Sequence, residues 1–174
     1  MEFFKILTQQ DLSSIFPLPF EVEKLAFLVG EWNIEGYMTF EGKRLKTKGV
    51  WMISWAAAKW GVLNVGELEI EDLGVSEEGD IVGYDPVEKM YHLFSVTNTA
   101  ATHDHRGDWL DKKTLHFIYE GLQEGKPFKE TIEIKNISPT EPAIIEEDVL
   151  DSQTVSTMDI TLRKQPPQRL SENL

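Results

Sequence analysis

Gly30-Glu31-Trp32-Asn33-Ile34-Glu35-Gly36-Tyr37-Met38-Thr39-Phe40 decides the fold of this chain. Trp32, Ile34, Met38 and Phe40 alternate with Asn33, Glu35, Tyr37 and Thr39. That period of two belongs to a strand with one face in a core and the other in water. Trp32 is expected to point inward near one end of a closing sheet. Just upstream, Val22, Leu25, Ala26 and Leu28 are spaced for one face of a short helix over residues 21–28. Gly30 is expected to end that helix.

Downstream the period of two persists to Arg163. Glu41-Gly42-Lys43 is a tight-turn sequence. Residues 44–57 follow, with Trp51, Ile53 and Trp55 on one face, and Ala58-Lys59 turns the chain into residues 60–70. Glu77-Glu78-Gly79-Asp80 has turn composition, so a short strand is expected to start at Ile81 and to close at Asp85-Pro86. Further strands are predicted over 90–98, 99–109, 114–120, 128–137, 143–150 and 155–163, with a turn over 121–125. The total is about nine or ten strands at regular spacing, with one helix before them. The fold class is therefore all-β, an antiparallel up-and-down barrel or sandwich. Residues 1–20, rich in Phe and Ile, are expected to pack on the barrel, residues 21–164 to form it, and residues 165–174 to make a disordered tail.

Composition excludes several functions. The formal charge is −13, whereas nucleic acid needs clustered Lys and Arg, and anionic membranes repel such a chain. There is no cysteine, so disulfides, thiolate catalysis and Cys-bound metals are excluded. The stretch MEFFKILTQQDLSS lacks the apolar centre of a signal peptide, and no run reaches a membrane span. The expected location is cytoplasmic. No phosphate-binding loop, nucleophile elbow or HExxH is present.

The segments LAFLVGEW (25–32), GYDP (83–86), Gly107 and MDITLRK (158–164) together resemble an uncharacterised bacterial lipocalin-like family, a domain of unknown function in the calycin group. The similarity spans about residues 21–164. The resemblance implies a calycin barrel and no established activity, and it supplies no functional residues. Where the family often carries Trp and Asp, this chain has Ser95 and Thr97. Nitrobindin-type haem proteins begin similarly but place a His near the end of the barrel. Here His116 is the last histidine, so haem, which needs an axial ligand, is not expected.

Candidate site residues fall into three groups. Trp51, Trp55, Asn64, Ser95, Thr97 and Tyr119 lie in strongly patterned strands and, if inward, line an apolar pocket with a few polar contacts. Core packing and outward polar groups are the alternatives. His103 and His105 share one side of an extended segment and could hold a divalent metal, with His92 from the preceding strand as third ligand. The alternative is an exposed polar strand end with no cofactor at all. In Glu146-Glu147-Asp148, either register puts a carboxylate among apolar neighbours, and a solvated outer face is the favoured reading.

The leading function is binding of a small apolar or amphipathic molecule in a barrel cavity. An enzyme of isomerase, lyase or hydrolase type using the same cavity is the alternative, and convergence of His92, His103, His105 and Glu147 would favour it. A side-chain-filled barrel serving protein interaction is the third reading.

Overall fold

Turn chemistry sets where the strands end. Glu41 and Gly42 both have positive φ (48° and 75°), so β1 (Gly30–Phe40) and β2 (Lys43–Ala56) form a two-residue hairpin. Ala57, Ala58 and Lys59, all at positive φ, carry the chain into β3 (Gly61–Ile70). Glu124-Gly125 joins β7 (Thr114–Gln123) to β8 (Lys126–Lys135), and Asp151-Ser152 joins β9 (Ala143–Leu150) to β10 (Gln153–Lys164). Between them lie β4 (Gly74–Asp85), β5 (Met90–Thr97) and β6 (Thr102–Trp109). Each strand pairs antiparallel with the next, and β10 returns to pair with β1. The computed structural model, which describes residues 16–166, is therefore a closed ten-stranded up-and-down barrel.

Three expectations change in detail. The predicted helix is a single α-turn, α1 (Phe20–Glu23), which tightens into a 3-10 helix over Lys24–Leu28. It ends at Val29 in an extended conformation, without a left-handed glycine cap, and Gly30 already belongs to β1. Glu77-Glu78-Gly79-Asp80 is not a turn: it lies in mid-β4, and the reversal falls at Glu71-Asp72-Leu73 instead. Most of the expected N-terminal packing segment and of the tail lies outside the described residues. Of the parts within them, Phe16 and Phe20 are exposed, while Gln165 donates its backbone N–H to the Glu31 carbonyl. No helix among the described residues is long and apolar enough to cross a membrane.

The helical turn plugs one end of the barrel. Its Leu25 and Leu28 are buried against Trp32, which is fully buried. The Trp32 indole N–H donates to the Leu28 carbonyl at 2.7 Å, which satisfies the one polar atom this large side chain brings inside. Tyr91, also fully buried, donates its hydroxyl to the Glu21 carbonyl at 2.7 Å. Lys164 closes over the Trp32 ring at 5.2 Å and donates to the Val29 carbonyl. Leu115, Phe117, Ile160 and Leu162 fill the space above. The plug closes this end, so the interior can open only toward the other. Trp32→Ala removes the side chain that joins plug to wall. It should cost about 3–5 kcal/mol in denaturant unfolding through lost burial and a residual cavity; a loss below about 1 kcal/mol would contradict this placement.

Candidate functional site

The barrel encloses a cavity of about 840 Å3 that runs from Leu28 of the plug toward the opposite rim. Its floor is apolar, made by Ile53, Val62, Val82, Leu93, Ile132, Ile134 and Ile144, with Leu68 and Met158 higher on the wall. Trp51 forms part of the wall. A side chain at Gly66 would collide with its ring, a Cβ there falling 1.9 Å from the Trp51 indole, so glycine is what lets the indole lie flat on β3.

Above the floor the register aligns a polar belt. Asn64 of β3 pairs with Asp80 of β4, and Asp80 with Ser95 of β5. Ser95 pairs with His103 of β6, Tyr119 of β7 with Glu130 of β8, and Glu130 with Asp148 of β9. Residues two positions along, Glu78 and Glu146, face the same interior. Five carboxylates (Glu78, Asp80, Glu130, Glu146 and Asp148) thus form the belt, Glu124 of the β7–β8 turn adds a sixth to the cavity lining, and no Lys or Arg among the described residues lines it.

Their charges are held in two clusters. On one wall, the Asn64 amide donates to Asp80 at 2.8 Å and to Glu78 at 3.3 Å. Burial, and then the neighbouring Asp80 charge, push the Glu78 carboxyl up to about 8 despite that amide. Burial raises Asp80 as well, against the opposing hydrogen bonds from Asn64 and Ser95. On the other wall, Glu130 Oε2 sits 2.5 Å from His103 Nδ1 and 3.1 Å from His105 Nε2. Burial works against charge on both Glu130 and His105. Their mutual attraction outweighs it, holding Glu130 below and His105 above its ordinary value. Burial followed by the Glu130 charge lifts Asp148 to about 7, and burial raises Glu146 well above the usual range.

The residues singled out from sequence divide accordingly. Trp51, Asn64, Ser95 and Thr97 line the cavity. Trp55 is half-buried against the apolar core and is not in the cavity wall. Tyr119 is also set back: its ring stacks on His103 at 4.0 Å and fixes that imidazole. His103 and His105 do share the inner side, His105 with no exposure at all. His92 does not join them. It sits one residue out of phase on β5, on the outer face, between Asp104 (3.2 Å) and Glu88 (3.4 Å). Glu130, which sequence reasoning did not single out, occupies the place expected for His92. The Glu146-Glu147-Asp148 run is also corrected: only Glu147 is on the solvated face, and Glu146 and Asp148 turn inward.

No family model and no curated protein matches the sequence. Among solved structures, the S-type phycobiliprotein lyase CPES from Guillardia theta is similar at a TM-score of 0.58 with 11% identity, covering 92% of this chain and 100% of that one. EF1p2_mFAP2b bound to DFHBI follows at 0.49 with 13% identity, covering 83% and 98%. The redesigned β-barrel mFAP0, also bound to DFHBI, is similar at 0.45 with 14% identity, covering 79% and 99%. At 11% identity the likeness to the lyase is one of fold alone.

The belt makes stability depend on pH. Carboxyls raised in the folded state, Glu78 to about 8 and Asp148 to about 7, keep protons that the unfolded chain has already released. Stability therefore falls as pH climbs through the range between their unfolded and folded values. The raised His105 acts in the same sense, its contribution being lost as pH rises through its folded value. The lowered Glu130 contributes fully above its unfolded value and loses that only in more acid solution. Without added ligand, the melting temperature at pH 5.5 should exceed that at pH 8 by about 3 °C or more. Glu78→Gln should shrink the difference; an equal or larger difference in that variant would refute the assignment.

Proposed function

We propose that this protein binds a small amphipathic molecule inside the barrel, one with an apolar body and a protonated amine. The observation that carries this reading is the belt of five carboxylates without a single Lys or Arg in the cavity wall. Ionised carboxylates are costly in an apolar chamber unless a cation accompanies them. The protein supplies none on the Glu78–Asp80 wall, so a ligand that brings one is favoured there. The apolar floor and Trp51 suit the rest of such a molecule, by burial at about 25 cal/mol per Å2 of apolar surface. An unfilled interior of this size supports binding over a filled, purely interactive barrel.

A second reading has one observation behind it. Glu130 is held ionised and Glu78 is held protonated near neutrality within one cavity. A base and an acid with divided pKa values are what proton-transfer chemistry needs. An enzyme would add this step to the same bound molecule. Membership of the lipocalin-like family suggested by LVGEW and GYDP is part of the proposal, and it adds no activity to it.

Dansylcadaverine, an amphipathic fluorescent amine, tests the leading reading against a dansyl amino acid of matched length whose free end is a carboxylate. The amine should bind saturably and about tenfold or more tighter than the acid. Glu78→Gln with Asp80→Asn should abolish that preference, and Ser95→Trp should weaken both probes by filling the cavity. Equal affinity for amine and acid would sink the cationic ligand.

A further inference from the structure

The second wall of the belt has a different logic. His105 Nδ1 lies 3.1 Å from the Leu93 carbonyl, which can only accept, so Nδ1 carries the proton and donates it. In a neutral ring Nε2 is then a bare lone pair. That atom is buried and has no hydrogen-bond partner, yet it stands 3.1 Å from the Glu130 carboxylate. The distance allows charge attraction, but the direction is off the axis of a ring N–H hydrogen bond. Two electron-pair donors facing each other away from water need a cation between them, either a proton on the ring or a metal ion.

The surroundings fit a metal. His103 Nδ1 approaches the same Glu130 oxygen from the other side, and the donor atoms of His103, His105 and Glu130 all lie within 4.8 Å of one another. Tyr119 stacked on His103, and the Leu93 carbonyl on His105, set both rings in orientation, as outer-shell partners do in metal sites. Asp148 adds a buried Oδ1 that also lacks a partner, and its carboxylate lies within 4.8 Å of Glu130.

We propose that His103, His105 and Glu130 bind a divalent cation of the zinc type, with Asp148 available as the fourth ligand. Two imidazole nitrogens with carboxylate oxygens form a donor set that zinc accepts in tetrahedral geometry. Zinc bonds of about 2.0–2.2 Å place adjacent ligand atoms about 3.4 Å apart. The site does not depend on the amine reading, since none of its ligands is Glu78 or Asp80.

Calorimetry of chelator-stripped protein with zinc alone tests the site. We expect one ion bound with Kd of about 1 μM or tighter. Cobalt in place of zinc should give the intense visible band of a tetrahedral ion, a readout on the unaltered protein that needs no variant. Glu130→Gln, which keeps the side-chain shape, and the double variant His103→Gln, His105→Gln should each weaken binding about 100-fold or more. His92→Ala, on the outer face, should leave it unchanged. A Kd weaker than about 0.1 mM, the pale spectrum of octahedral cobalt, unaltered affinity in Glu130→Gln, or loss of binding in His92→Ala would each overturn the site.

Discussion

Pairing of β10 with β1 is the constraint on which everything else rests. The ladder runs without interruption from Trp32 opposite Lys164 to Phe40 opposite Ser156. Once it forms, no strand has a free edge, and each side chain is committed to the interior or to water. A slip of one residue would reverse that commitment along a whole strand. It would turn Trp32, Ile34 and Met38 outward and drive Asn33, Glu35 and Tyr37 inside. The plug secures the register at one end. Trp32 is tied to Leu28 and covered by Lys164, so the first and last strands meet the helical turn at one place.

The same commitment creates a conflict higher in the barrel. Asp80, Glu130 and Asp148 are inward because their neighbours along the strand, Val82, Ile132 and Ile144, must be. Alternation cannot bury those apolar groups without also turning the acids in. The barrel relieves the tension in three ways. The Asn64 amide is shared between Glu78 and Asp80, raised pKa values leave some acids protonated, and two imidazoles are set against Glu130. None of these neutralises the whole belt. Asp148 Oδ1, His105 Nε2 and Asn64 Oδ1 remain buried without partners. Such atoms are uncommon in folded proteins, and they mark where the chain has left hydrogen-bonding capacity unused.

How much of this was legible in the sequence follows from which signals are local. Alternation at Trp32–Phe40 and the Glu41-Gly42 turn are local, and they located β1, β2 and the barrel class. The shared side of His103 and His105 followed from the same period. Glu77-Glu78-Gly79-Asp80 misled because acidic and glycine-rich composition is the ordinary signature of a turn. Only pairing with β3 and β5 makes it a strand, and pairing is not visible locally. Glu146 and Asp148 were given to solvent because buried carboxylates are rare. The strand period leaves both registers open, since Ile144 stands two residues before Glu146 and Ile145 two before Glu147; pairing with Ile132 and Ile134 of β8 decides between them. His92 shows the limit of proximity in sequence. Its strand does pair with that of His103, but odd and even positions separate the two rings onto opposite faces. Glu130 was unreachable by this route, since β8 meets the histidines only across β7.

Floor and belt divide the labour between rigidity and response. Near the plug, fully buried apolar groups close-pack and the polar atoms of Trp32 and Tyr91 are satisfied. At the belt, acids held near neutrality and orphaned donor atoms make the interior responsive to whatever positive charge arrives. Closure couples the two. Strands anchored by the plug keep the belt on the partly buried inner wall, where desolvation raises the affinity of Glu78 and Asp148 for protons. A more open sheet with the same residues would hydrate them and lose that affinity. The barrel therefore leaves, in its protonated acids and partnerless buried atoms, the capacity that the proposed cation would take up.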